Sequence, residues 1–137
     1  MKYVVGFLFC RNTNQIVLLR KNTQDWQHDM LNGIGGKIEG NETCLDAMKR
    51  EWKEETQDDT DIEWFQFANL LGKTSVVYCF KAEVDTLPIL PSENDVGEEI
   101  IIMDLDDAIQ SSFVVNNLTW LLPLAFNDRN VKVVASF

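Results

Sequence analysis

Residues 35–57 read Gly35-Gly-Lys-Ile-Glu-Gly-Asn-Glu-Thr-Cys-Leu-Asp-Ala-Met-Lys-Arg-Glu-Trp-Lys-Glu-Glu-Thr-Gln57. A glycine pair opens the stretch, Thr43 suits the N-cap of a helix, and an amphipathic helical pattern follows. At ~100° per residue, Glu51 and Glu55 lie about 40° apart on the helix surface, with Glu54 about 60° to the other side of Glu51. Three carboxylates therefore share one flank. Beside them run Leu45, Met48 and Trp52, the stripe expected to be buried. Arg50 and Lys53 are close in sequence but are expected to point elsewhere.

Like charges on one helix flank repel, by a few tenths of a kcal/mol per i,i+4 pair even when exposed. A divalent cation turns that repulsion into binding. Mg²⁺ takes oxygen ligands, keeps several waters and is usually completed by substrate phosphates. The helix thus reads as half of a phosphate–metal site; the plainer alternative is a solvated acidic face with Glu paired to Lys.

The wider spacing decides between them. Gly36, five residues, Glu42, seven residues, Arg50-Glu51, a bulky apolar Trp52, one residue, then Glu54-Glu55: this resembles the Nudix box. The strand order around it also fits that family, so the resemblance spans most of the chain. One departure stands at the end of the box, where Gln57 and Asp58 replace the family's Gly and aliphatic residue. Glycine there closes the helix in a left-handed conformation, which glutamine adopts at a cost of roughly 1 kcal/mol.

The resemblance implies an α/β fold: an α/β/α sandwich with a mixed β-sheet between the box helix and a C-terminal helix. It implies hydrolysis of a nucleoside diphosphate linked to a further group X, by attack of water on phosphorus. Glu51, Glu54 and Glu55, with the Gly36 carbonyl, are the implied metal ligands, and Mg²⁺ is the implied cofactor, with Mn²⁺ able to substitute. Glu42 and Arg50 are implied as an ion pair supporting loop and helix. In MutT-like relatives a loop carboxylate further along the chain joins the site as ligand or general base, which points to Glu98 or Glu99 alongside the box residues Glu54 and Glu55. At a strand start only one of these two neighbours can face inward.

Leu31-Asn-Gly-Ile-Gly-Gly-Lys37 is similar to the corresponding segment of MutT-like and oxidised-purine nucleoside triphosphatases. That likeness assigns Asn32 to the base, since an amide offers both a donor and an acceptor. It places Lys37 in the same binding segment. Arg20 and Lys21, which end the second strand, are placed near the substrate phosphates or nucleoside. The expected substrate is a nucleoside triphosphate, such as an oxidised purine deoxynucleotide, cleaved to a nucleoside monophosphate and pyrophosphate. Two alternatives stand beside it: a pyrophosphatase acting on a dinucleotide or nucleotide sugar such as ADP-ribose or NADH, and a Nudix-fold nucleotide-binding module that has lost catalysis.

Composition agrees. With 137 residues, 45% apolar and 25% charged, the chain is expected to form one domain over residues 1–137. A net charge of −10 opposes binding of long nucleic acids, and there is no basic patch with interleaved aromatics. No apolar run is long enough for a membrane helix. The N-terminal apolar stretch is too short for a signal peptide and lacks a cleavage site, so it reads as a strand. Three unpaired-looking cysteines, Cys10, Cys44 and Cys79, suit a reducing, cytoplasmic setting. The oligomeric state is left open.

Elsewhere, Tyr3–Arg11 and Ile16–Arg20 read as a hairpin across the turn residues Asn12 to Gln15. Residues 21–29 form a polar loop with Trp26 and His28, and residues 30–38 a glycine-rich segment that lets backbone approach a ligand. Trp64–Leu71, Ser75–Val84, Glu98–Asp104 and Val131–Phe137 read as strands, and residues 87–97 as a loop. Leu105–Gln110 is a short helical turn. Asn116 caps a packing helix that carries Pro123.

Overall fold

The computed structural model describes residues 1–22, 29–112, 114, 117–126 and 133–136. Trp26, His28 and Asn116 lie outside them. The elements are β1 (Lys2–Cys10), β2 (Gln15–Arg20), β3 (Leu31–Asn32), β4 (Ile34–Lys37), α1 (Cys44–Thr56), β5 (Phe65–Leu71), β6 (Val76–Val84), β7 (Glu99–Asp104), α2 (Leu105–Gln110), α3 (Leu118–Phe126) and β8 (Val133–Ser136).

β1 is the central strand. Its full length pairs in parallel with β6, while its other edge is shared: Tyr3 to Gly6 face β4 and Leu8 to Cys10 face β2, both antiparallel. The strand path is β3-β2-β1-β6-β5-β8, with β4 on β1 and β7 on β2, so the sheet is mixed as expected. Because side chains alternate along a strand, β1 and β2 feed two cores. Phe7, Phe9, Ile16 and Leu18 pack under α2 and α3, with Leu105, Ala108, Leu118, Leu121 and Leu122. Val4, Leu8, Val17 and Leu19 pack under α1, with Ala47, Met48 and Trp52. This is the double-sided burial of strands apolar on both faces.

α1 docks through a small surface. Gly6 admits it: a Cβ there would stand 2.7 Å from Met48 Sδ. Trp52 meets Trp64 edge-on at 5.6 Å between ring centroids, and its indole N–H donates to Asp58 Oδ2 at 2.9 Å. Leu45 departs from the expected stripe. It is exposed, and the buried residues of α1 are Ala47, Met48, Glu51, Trp52 and Thr56. The contact face is thus rotated toward the acidic flank, which brings Glu51 inward.

The glycine-rich segment 30–38 lies along β1 and β2. Much of it is strand, with Val4 opposite Gly36 and Val5 opposite Gly35. Glycine has poor intrinsic strand propensity, and it is the pairing with β1 that extends the chain here. Among the described residues no helix is long and apolar enough to cross a membrane.

Candidate active site

The acidic helix begins as its sequence suggests. Thr43 Oγ1 accepts from the Asp46 N–H at 3.1 Å. Its other end is closed by Gln57, at φ 59° and ψ 20°, whose N–H donates to the Lys53 carbonyl at 2.8 Å. Glutamine therefore occupies the left-handed position that glycine usually fills.

Arg50 organises the outer carboxylates. Its guanidinium donates to Glu42 Oε1 at 2.7 Å, Glu51 Oε1 at 2.9 Å, Glu54 Oε2 at 3.1 Å and the Lys37 carbonyl at 2.9 Å. The expected Glu42–Arg50 pair is present, but the expectation that Arg50 points away from the acidic flank fails. A planar fork of five donors on a long stem can serve several acceptors at once. The arrangement raises the Arg50 pKa, chiefly through its bonds to Glu42, and lowers that of Glu42. Lys53 does lie elsewhere, pairing with Asp59 at 3.1 Å.

Glu51 and Glu55 form the inner part. Glu51 is buried against Gly36, where a Cβ would stand 2.6 Å from its carboxyl carbon. Burial raises the Glu51 pKa, with Arg50 opposing the rise. Glu55 Oε1 accepts from the Gly35 N–H at 3.2 Å, while Oε2 is buried and has no hydrogen-bond partner among the described residues. Burial pushes the Glu55 carboxyl up to about 8; Lys21 opposes the rise, and the charges of Glu51 and Glu98 add to it. Among the described residues, no three acidic, histidine or cysteine side chains converge as a ready-made ligand cage.

Glu98 and Glu99 part at the start of β7: Glu98 ends the turn before the strand and Glu99 is its first residue. Glu99 lies across from Arg20 in the β2–β7 register, their side chains 3.6 Å apart and half exposed on the Glu99 side. Glu98 is held on both oxygens, by Asn94 Nδ2 at 3.4 Å and by the Asn22 N–H at 3.2 Å.

A cavity of about 410 Å³ opens on the same strands, with Tyr3, Lys21, Asn32, Lys37, Ser75 and Val77 on its walls and Gly35 and Gly36 in its lining. Asn32 Oδ1 accepts from the Gly33 N–H at 2.8 Å. Arg20 is not among the described lining residues; it also donates to the Asp29 carbonyl at 3.2 Å. The geometry thus joins Gly36, Glu51, Glu55 and Lys21 beside Asn32 and Lys37, ties Glu42 and Glu54 in through Arg50, and leaves Arg20 and Glu99 as a pair of their own. The sequence reading missed Asn22 and Asn94. Asn94-Asp-Val-Gly97 carries a turn signature, but nothing local says that the turn orients Glu98.

A mixed sheet with an acidic helix on one face, its inner carboxylates packed on a glycine pair, defines the class. The model of the NUDIX domain matches residues 2–121. The chain belongs to the NUDIX domain family; it is a Nudix hydrolase, a pyrophosphohydrolase of nucleoside diphosphates linked to a further group. No curated protein sequence matches it significantly. Solved structures share the fold at low identity. A mutator MutT protein from Bacillus halodurans superposes with a TM-score of 0.72 at 17% identity, over 99% of this chain and 89% of that one. The NUDIX domain of Shewanella oneidensis NrtR, complexed with ADP ribose, gives 0.71 at 18%, over 91% and 85%. The E. coli dihydroneopterin triphosphate pyrophosphohydrolase gives 0.65 at 14%, over 82% and 85%.

Proposed function

We propose that this chain hydrolyses a nucleoside triphosphate, with an oxidised purine deoxynucleotide as the leading candidate, to a nucleoside monophosphate and pyrophosphate. One observation carries the reading. The Gly35–Gly36 strand lines the cavity and also touches both inner carboxylates, so a nucleoside in the cavity would set its phosphates against Glu51 and Glu55. Asn32 is assigned to the base edge, and Lys21 and Lys37 to the phosphates. Tyr3 supplies an aromatic wall.

A divalent cation suits the donor set. An orphaned, buried carboxylate oxygen on Glu55 needs a positive partner, and hard oxygen donors are what Mg²⁺ or Mn²⁺ takes. Glu51, Glu54, Glu55 and the Gly36 carbonyl would hold it, with substrate phosphates completing the set. Once bound, the cation neutralises phosphate charge and makes an attacking water more acidic. Arg50 keeps Glu51 and Glu54 oriented, and Glu98 or a box carboxylate accepts the proton of the attacking water. The three cysteines are free, and we assign the protein to a reducing, cytoplasmic compartment.

The test is a panel of nucleoside triphosphates, oxidised purine forms, ADP-ribose and NADH, each with and without Mg²⁺. Pyrophosphate release from a triphosphate is expected. Preferential cleavage of ADP-ribose or NADH would replace the substrate assignment, and a nucleotide-dependent rise in Tm with no turnover would show a binding module.

A further inference from the structure

Gln57 stands where the family's box carries glycine, and its backbone is left-handed at φ 59°. A side chain in that region is strained and persists where surrounding contacts compensate. The Gln57 amide supplies such a contact. Gln57 Nε2 donates to Asp95 Oδ1 at 2.8 Å, bridging the exit of α1 to the turn that precedes β7.

That turn is tightly closed. Asn94 is buried, and its Oδ1 accepts from the N–H groups of Val96 at 3.1 Å and Glu98 at 2.9 Å. The Asn94 N–H donates to the Glu98 carbonyl at 2.9 Å, and Gly97, at φ 80°, donates back to the Asn94 carbonyl at 3.1 Å. The far side is tied to the end of β2, where Asn22 Nδ2 donates to the Val96 carbonyl at 3.1 Å. With so many internal bonds the turn moves as one piece, and Glu98 moves with it. Asn22 fixes one flank. Gln57, two residues after Glu55, fixes the other.

We propose that Gln57 is a positioning residue: through Asp95 it locks the 94–98 turn, and with it the Glu98 carboxylate, against the exit of the acidic helix. This rests on the proposed role of Glu98 in hydrolysis. Neither Gln57 nor Asp95 is among the described residues lining the cavity, so the tether acts on turnover and leaves substrate binding alone.

The experiment exploits the backbone strain. Gln57→Gly relieves it, so a merely structural glutamine predicts a protein at least as stable and fully active. The tether predicts the same stability but lower turnover: Tm unchanged or raised, KM within about twofold, and kcat down about threefold to tenfold, the loss of one ordinary hydrogen bond. Asp95→Ala should match that loss, Asp95→Asn, which keeps the acceptor oxygen, should recover most of kcat, and the Gln57→Gly/Asp95→Ala double variant should be no worse than either single one. Wild-type kcat in Gln57→Gly, or additive losses in the double variant, overturns the inference. Glu98→Gln, measured alongside, separates the two claims. If it is fully active, the role of Glu98 falls and the tether with it; if it is impaired while Gln57→Gly is not, only the tether falls.

Discussion

Replacing Glu55 by glutamine should make the metal-free protein more stable, and more so as pH rises. The Glu55 carboxyl is held at about 8 in the fold, against an ordinary 4.5, mainly by burial. Between those values the native state keeps a proton that the unfolded chain has released. The unfolded state therefore binds fewer protons, and stability falls as pH rises through this window. At ~1.36 kcal/mol per pH unit, a rise from 4.5 to about 8 is worth at most ~5 kcal/mol once both states are ionised. Glu51, itself raised by burial, shares that charge, so we assign about 2–4 kcal/mol to Glu55, or roughly 6–12 °C in Tm for this chain length. The assay is thermal unfolding of wild type and Glu55→Gln in chelator from pH 5 to pH 9. At pH 5 the two should differ by no more than ~1 kcal/mol, apart from any constant offset, and by pH 9 the variant should lead by the full amount. With Mg²⁺, the same variant should lose ~10²-fold or more in turnover, since even outer partners of a metal typically contribute 10–100-fold. A gap that stays flat with pH, or a variant that turns over normally, would refute the argument that this carboxylate is buried in wait for a cation.

Three further outcomes follow from the same geometry. Glu98→Gln should lower kcat at least ~10-fold, whereas Glu99→Gln, which weakens its described contact with Arg20, should stay within about twofold in steady-state assays. Arg50→Ala leaves Glu42, Glu51 and Glu54 without their common partner and should cost about 2–4 kcal/mol in denaturant unfolding; Arg50→Lys should restore little, because an ammonium cannot fork among them. Gly36→Ala would drive a methyl group into the Glu51 carboxylate, so activity should fall ~10-fold or more while circular dichroism stays native.

Much of the fold is legible because it rests on periodicity. The alternation in β1 and β2, apolar on both faces, announces a sheet covered on both sides, and Thr43 marks the start of α1. The elements that escape are those whose conformation is decided by distant partners. Gly35 and Gly36 have no strand preference of their own, and only β1 across from them makes them strand. Leu45 belongs to the apolar stripe by angle, yet it is exposed because Met48 and Trp52 set the contact face. For the site, helix spacing picks out Glu51, Glu54 and Glu55 as a group, and the resemblance to the Nudix family is what points on to Glu98 or Glu99. The alternation says that only one turns inward, and the cross-strand partner Arg20, invisible without the register, occupies Glu99. The orientation of Arg50 escapes for the opposite reason: its stem is long enough that helix angle hardly constrains where the guanidinium goes.

One guanidinium among several carboxylates has a consequence for metal binding. Arg50 is shared by Glu42, Glu51 and Glu54, so each of these has a cationic partner before any metal ion arrives. Glu55 has no such help; its only described donor is the Gly35 N–H, and its second oxygen is orphaned. The fold thus leaves its unmet demand for positive charge at one buried oxygen beside the glycine strand of the cavity. A proton and a cation compete for that oxygen. With the carboxyl held at about 8, the proton has the advantage at neutral pH, and a cation must displace it. Mg²⁺ affinity should therefore strengthen as pH rises through the titration of this carboxyl, by up to about tenfold per pH unit, and level off by about pH 8. A substrate that brings its own phosphate oxygens would supply the further ligands that the side chains, turned toward Arg50, do not present by themselves. On this reasoning cation and nucleotide bind cooperatively, each far more weakly alone than together, and titration calorimetry of Mg²⁺ with and without a non-hydrolysable triphosphate analogue should show a stronger second binding.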